Sequence, residues 1–126
     1  MDLFFTEPIG WADRKRAPRG AGVYIIHKQE NPIPIYIGLT AAQKGLRGRV
    51  AEFHGAASKG HGNHAGGRTY HSIFGGNLSD LSVCWHEVRD FRYAAAVVHA
   101  YVAYVERRLI WEHVEAHGAL PVCNSE

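Results

Sequence analysis

Cysteine is scarce in this chain: Cys84 and Cys123 are the two present. Two thiols make no disulfide framework, and reduced cysteines in a cytoplasm are the expectation. Long hydrophobic runs are absent too, since none approaches the ~18 residues that a bilayer-crossing helix needs. The opening Met1-Asp2-Leu3-Phe4-Phe5 has neither a basic stretch nor a small-residue cleavage site, so no secretory signal is predicted. Internal repeats, low-complexity tracts and CxxC pairs are missing. Net charge is only +2, too little to demand a polyanionic partner.

What is present is ordinary globular material: 126 residues, 46% hydrophobic and 21% charged, enough for one domain with its own core. The charge is unevenly placed. Residues 1–70 carry ten Lys/Arg against five acids, whereas residues 71–126 carry four against seven. Such asymmetry points to a basic face that contacts nucleic acid, with Lys44, Arg47, Lys59 and Arg68 as candidate contacts. DNA is expected before RNA, and no membrane.

Residues 1–20 are punctuated by Pro and Gly and read as a loop-rich arm packed through Phe4, Phe5 and Trp11. The domain proper then spans 21–126. Gly22–His27 and Ile33–Ile37 are rich in β-branched and aromatic residues and predict a hairpin, with Pro34 confining the second strand to an edge. A turn centred near Glu30 would set Tyr24 opposite Tyr36 on one face. Thr40–Gln43 has capping-box spacing, although Gly45 moves the expected helix start to about Leu46. Leu46, Val50 and Phe53 repeat at helical spacing and leave Arg47 and Arg49 off the buried stripe. Residues 55–80, dense in Gly, His, Ser and Asn, read as a long irregular loop. Leu81–Trp85 alternates as a third strand. A helix is predicted from about 91 to 116, with Val98, Val102, Val105 and Leu109 as its apolar stripe and Glu106 at the rim. Gly118 and Pro121 end it.

In this order the elements resemble the GIY-YIG nuclease family. Gly22-Val23-Tyr24 is similar to the first signature, with Val for the usual Ile, and Tyr36-Ile37-Gly38 to the second; eleven residues separate the two tyrosines. Arg49 matches the family's catalytic arginine, Glu106 its single metal-binding glutamate, and Asn124 the asparagine that closes the core. The resemblance covers residues 22–124. It implies an α+β fold with a small three-stranded antiparallel sheet flanked by helices. It also implies hydrolysis of phosphodiester bonds in DNA, leaving 5′-phosphate and 3′-hydroxyl ends, with one Mg²⁺ or Mn²⁺ on Glu106. Gly38, His54 and Asn124 would support the site. Where many members carry a histidine four residues after the arginine, this chain has Phe53, and His54 comes one later.

The side chains suit that chemistry on their own terms. A hard carboxylate is what Mg²⁺ accepts while keeping several waters. A planar guanidinium suits phosphate. A phenol near pKa ~10 serves as a base only beside cations; Tyr24 is favoured over Tyr36 for that role, and the residues leave both open. Two other readings compete: a nucleic-acid-binding module of the same fold with little activity, and a zinc site among His61, His64, His71, Cys84 and His86. With no separate DNA-targeting domain read in the sequence, the expectation is weak sequence specificity, structure-directed cutting, or delivery by a partner protein.

Overall fold

The computed structural model describes residues 3–41, 43–89 and 94–125. The expected hairpin forms between β2 (Gly22–Lys28) and β3 (Asn31–Thr40). A short strand β1 (Ile9–Gly10) precedes them, followed by a 3₁₀ helix over Trp11–Arg16. After β3 come α1 (Gly45–Lys59), α2 (Ala65–Phe74), β4 (Leu81–Glu87) and α3 (Ala95–His117). The sheet is antiparallel in the order β1-β4-β2-β3. It therefore has four strands where three were expected. The extra strand holds two residues, with Ile9 opposite Val83 and Gly10 opposite Ser82, which is too short to leave an alternating pattern in the sequence. Pro34 lies in β3, an outer strand, as a residue without an N–H must.

Alternation along β2 divides the apolar residues between two layers. Tyr24 and Ile26 face Trp11, Leu46, Val50, Phe53 and Tyr70. Val23 and Ile37 face Val102, Val105 and Ile110 of α3, with Leu3, Phe5 and Leu120 packed alongside. The stripe Leu46–Val50–Phe53 is fully buried. On α3, Val102 and Val105 are buried, whereas Val98 and Leu109 are half-covered. Of the three aromatic residues expected to anchor the arm, Trp11 and Phe5 do so on opposite faces of the sheet, but Phe4 is 80% exposed.

The capping box at Thr40 is not used, because Thr40 is the last residue of β3. The arm caps α1 instead. Leu46 N–H donates to Gly20 O at 2.9 Å and Arg47 N–H to Pro18 O at 2.8 Å, which answers donors that a helix start leaves open. The stretch 55–80 is also not one loop: α1 runs to Lys59 and α2 occupies Ala65–Phe74. Gly66 and Gly67 lower helix propensity there, but packing against α1 outweighs it, with both glycines buried. Ala95 opens α3, and residues 91–93 of the expected helix lie outside the described residues. Both cysteines are free and buried, and burial pushes each thiol up to about 11. No helix among the described residues is long and apolar enough to cross a membrane.

The tail closes the open edge of β3. Asn124 Oδ1 accepts from Ile37 N–H at 2.9 Å, and Asn124 Nδ2 donates to Ile37 O at 2.9 Å. One side-chain amide thus imitates a neighbouring strand. Replacing it (Asn124→Ala) strands two half-buried backbone groups, and the expected cost is about 1–3 kcal/mol in urea unfolding. Faster hydrogen exchange at the Ile37 amide, with the rest of β2–β3 unchanged, checks that the loss is local.

Candidate active site

The two signature tyrosines share a face, but they are not directly opposed. Tyr24 pairs with Gly38, and Ile26 with Tyr36. An irregularity between Ile26 and Lys28, where Lys28 pairs with Asn31, displaces the register by two residues from the expected one. An even shift keeps both phenols on one side, as diagonal neighbours with ring centroids 5.9 Å apart. Gly38 makes this possible. A Cβ there would lie 2.6 Å from Tyr24 Cζ and 2.5 Å from Tyr36 Cε2. From α2, Gly66 covers the other side of the Tyr36 ring, and a Cβ on it would come within 2.3 Å of Tyr36 Cε1.

Tyr36 from β3, Arg49 from α1, Glu106 from α3 and Asn124 from the tail line one cavity of about 200 Å³. Four segments far apart in sequence therefore meet at one point. Arg49 Nη1 donates to Asn63 O at 2.9 Å and to Glu52 Oε1 at 3.2 Å, which aims the guanidinium. Glu52 also accepts from Lys44 Nζ at 3.0 Å. Burial raises the Glu52 carboxyl, but the hydrogen bonds from Lys44 and Arg49 outweigh it and hold the group below the usual carboxylate range. Glu106 is the carboxylate that lines the cavity, with 16% of its side chain exposed and Arg107 Nη1 at 3.9 Å.

Tyr24 does not reach the cavity. It is fully buried, and its hydroxyl meets His64 Nε2 at 2.7 Å. His64 Nδ1 accepts from Gly67 N–H at 3.0 Å, capping α2. A neutral His64 with Nδ1 so occupied carries its proton on Nε2 and donates it to Tyr24. Burial first, and Arg49 second, push His64 down to about 3, so the neutral form is the folded one. The Tyr24 proton is then directed to Tyr36. That hydrogen bond raises Tyr24, whose burial already lifts it well above 10, and lowers Tyr36. Burial is the largest influence on Tyr36 and leaves it above its ordinary value, although Arg49 and the Tyr24 hydrogen bond work against that rise. Tyr36 is thus the phenol that lines the cavity, whereas Tyr24, favoured from the sequence as the base, lies buried behind it.

Other expected residues lie elsewhere. His54 accepts from the Trp11 indole N–H at 2.9 Å and does not join the cavity. Arg47 lies off the buried stripe as expected, but its Nε donates to Ala17 O at 2.8 Å, away from the site. Lys44 is held by Glu52, Lys59 is exposed at the end of α1, and Arg68 donates to Gly62 O. His71 is bonded to Ala57 O, and His86 to Phe4 O and Tyr101. No three His, Cys, Asp or Glu side chains gather as a metal-binding group among the described residues. Glu52 was missed from the sequence, where it reads as a solvated helix residue, and His64 was weighed there only for a zinc site, since a histidine in a Gly-rich run carries no pattern that points to Tyr24.

Two outcomes follow. The unfolded chain binds a proton between pH about 3 and 6.5 that folded His64 refuses, so stability falls as pH drops below 6.5. The slope from this group is at most about 1.4 kcal/mol per pH unit, and His64→Gln removes that share in denaturant titrations at pH 4.5 and 7.5. Gly38→Ala is expected to cost about 1–3 kcal/mol, as overpacked sites do, and to broaden or shift the Tyr24 and Tyr36 ring resonances.

Compared with known proteins, the chain matches no family model, no curated protein and no solved structure.

Proposed function

We propose that this chain is a metal-dependent endonuclease of the GIY-YIG type, cutting DNA to leave 5′-phosphate and 3′-hydroxyl ends. The observation that carries the proposal is the meeting of Tyr36, Arg49, Glu106 and Asn124 around one cavity. Arg49, already aimed by Asn63 and Glu52, binds the non-bridging oxygens of the scissile phosphate. Tyr36 orients the attacking water and takes its proton. Burial holds the free phenol above its ordinary value, and the Arg49 charge and the Tyr24 hydrogen bond act against burial in favour of the phenolate. The water oxygen attacks phosphorus, the bond to the 3′ oxygen breaks, and the leaving oxygen is protonated from solvent.

The donor set suits one hard, largely hydrated divalent ion: a single carboxylate, partly open, on a polar cavity. Mg²⁺ or Mn²⁺ bound there supplies positive charge beside the phosphate and lowers the pKa of coordinated water. Asn124 keeps the Tyr36 strand in place from its outer edge.

The test is cleavage of supercoiled plasmid and of branched or single-stranded DNA in Mg²⁺, Mn²⁺ or EDTA. Glu106→Ala is expected to abolish cutting and Arg49→Ala to slow it by about 10²–10³-fold. Tyr36→Phe should cost about 10²-fold or more, and Tyr24→Phe distinctly less. If no substrate is cut while DNA binding stays intact, the enzyme reading fails, and a binding module of the same fold takes its place.

A further inference from the structure

A second pocket, mostly apolar in its lining but rimmed by basic side chains, lies on the opposite flank of α1 from the candidate active site. It has a volume of about 280 Å³, with Arg14 and Lys15 of the 3₁₀ helix on one side and Arg47, Val50, Ala51 and His54 of α1 on the other. Arg47, Val50, Ala51 and His54 follow helical spacing and form one face. Arg49, two positions from Arg47, points roughly the other way at 100° per residue. Among the described residues, no carboxylate lines this pocket. Three permanent positive charges around a concave surface make an anion site rather than a solvated flank.

The groups are held in place before any ligand arrives. Arg47 Nε is tied to Ala17 O at 2.8 Å, which leaves its two terminal nitrogens to face outward. Arg14 Nη1 donates to Trp11 O at 3.1 Å, and its guanidinium lies 5.8 Å from the Trp11 ring centroid. The Trp11 indole N–H donates to His54 Nδ1 at 2.9 Å. With Nδ1 occupied, neutral His54 bears its proton on Nε2, a further donor. Burial, then Arg14 and Lys15, lower the His54 pKa, so both cations act on the ring. Val50 and Ala51 add an apolar floor. Planar guanidiniums, an ammonium and a ring N–H are what a phosphate oxygen takes from a protein.

We propose that this pocket binds a phosphate group of the nucleic-acid backbone, beside the one held at Arg49. The assignment rests on the nucleic-acid reading of the active site and goes beyond it by giving the strand a path. A strand gripped at both places straddles α1, whose width with side chains is about 10–12 Å. The arm that caps α1 thereby becomes part of the substrate surface.

The experiment uses ¹⁵N-labelled full chain titrated with inorganic phosphate, with a short single-stranded DNA and with chloride as control. The Trp11 indole N–H and the His54 ring are the reporters. Both ligands are expected to shift the Trp11 signal and raise the His54 pKa, with no such response to chloride. In the Arg14→Ala/Lys15→Ala chain, the slope of log affinity against log salt should fall by roughly 0.7, because one phosphate contact on the single strand is lost. His54→Gln should weaken phosphate binding and leave the folded spectrum intact. An unmoved Trp11 signal with DNA bound, or an unchanged salt slope in the double variant, overturns the proposal. A response to phosphate but not to DNA overturns the strand assignment. A Trp11 response to DNA in a chain that cuts nothing supports this pocket and sinks only the nuclease reading.

Discussion

A buried phenol has to find a partner for its hydroxyl, and the way Tyr24 does so organises everything around it. The partner is His64, at 2.7 Å from the far side of the helical layer. That contact docks the start of α2 against the sheet, since the same imidazole caps α2 through Gly67. Docked there, α2 brings Gly66 against the Tyr36 ring, and the backbone just before α2 offers Asn63 O to Arg49. Reversing the donor and acceptor of one bond would change the whole line. With the proton on His64 Nε2, Tyr24 gives to Tyr36, and Tyr36 keeps its own O–H for the cavity. An unpaired polar atom in such a place would cost a few kcal/mol; no buried side-chain nitrogen or oxygen is left without a partner among the described residues.

The arrangement separates two demands that one residue cannot meet. A side chain locked by full burial is well positioned but titrates poorly, because desolvation penalises its charged form. Tyr24 is that locked residue, and Tyr36, half-buried beside Arg49 at the cavity, is penalised less. Glu52 plays a comparable part for Arg49. It sits between Lys44 and Arg49 and gives the guanidinium a fixed counter-ion at its rear without entering the cavity.

Much of this was legible in the residues. The two tyrosines sit on adjoining strands of a hairpin, Pro34 marks an outer strand, the α1 stripe is buried and the α3 stripe is buried at its centre, Val102 and Val105, because periodicity reports directly on which face meets the core. Arg49, Glu106 and Asn124 could be singled out by resemblance, and the fold brings them together with Tyr36. What was hidden depends on tertiary partners. The hairpin register turns on an irregularity near His27 that no turn residue announces. Helicity in Ala65–Phe74 is imposed by packing against α1, not by glycine-rich local preference. His64 gains its role only when α2 folds back, and β1 is too brief for any pattern.

The link between Asn124 and Ile37 spans 87 residues of sequence. Synthesis proceeds from the first residue onward, so Tyr36, Arg49 and Glu106 all leave the ribosome before the residue that completes their enclosure. Until Asn124 emerges, β3 keeps a bare edge, and the cavity lacks one wall. A partly made chain is therefore unable to present the finished site, however much of the sheet has already assembled. Long-range closure of this kind is slow compared with hairpin formation.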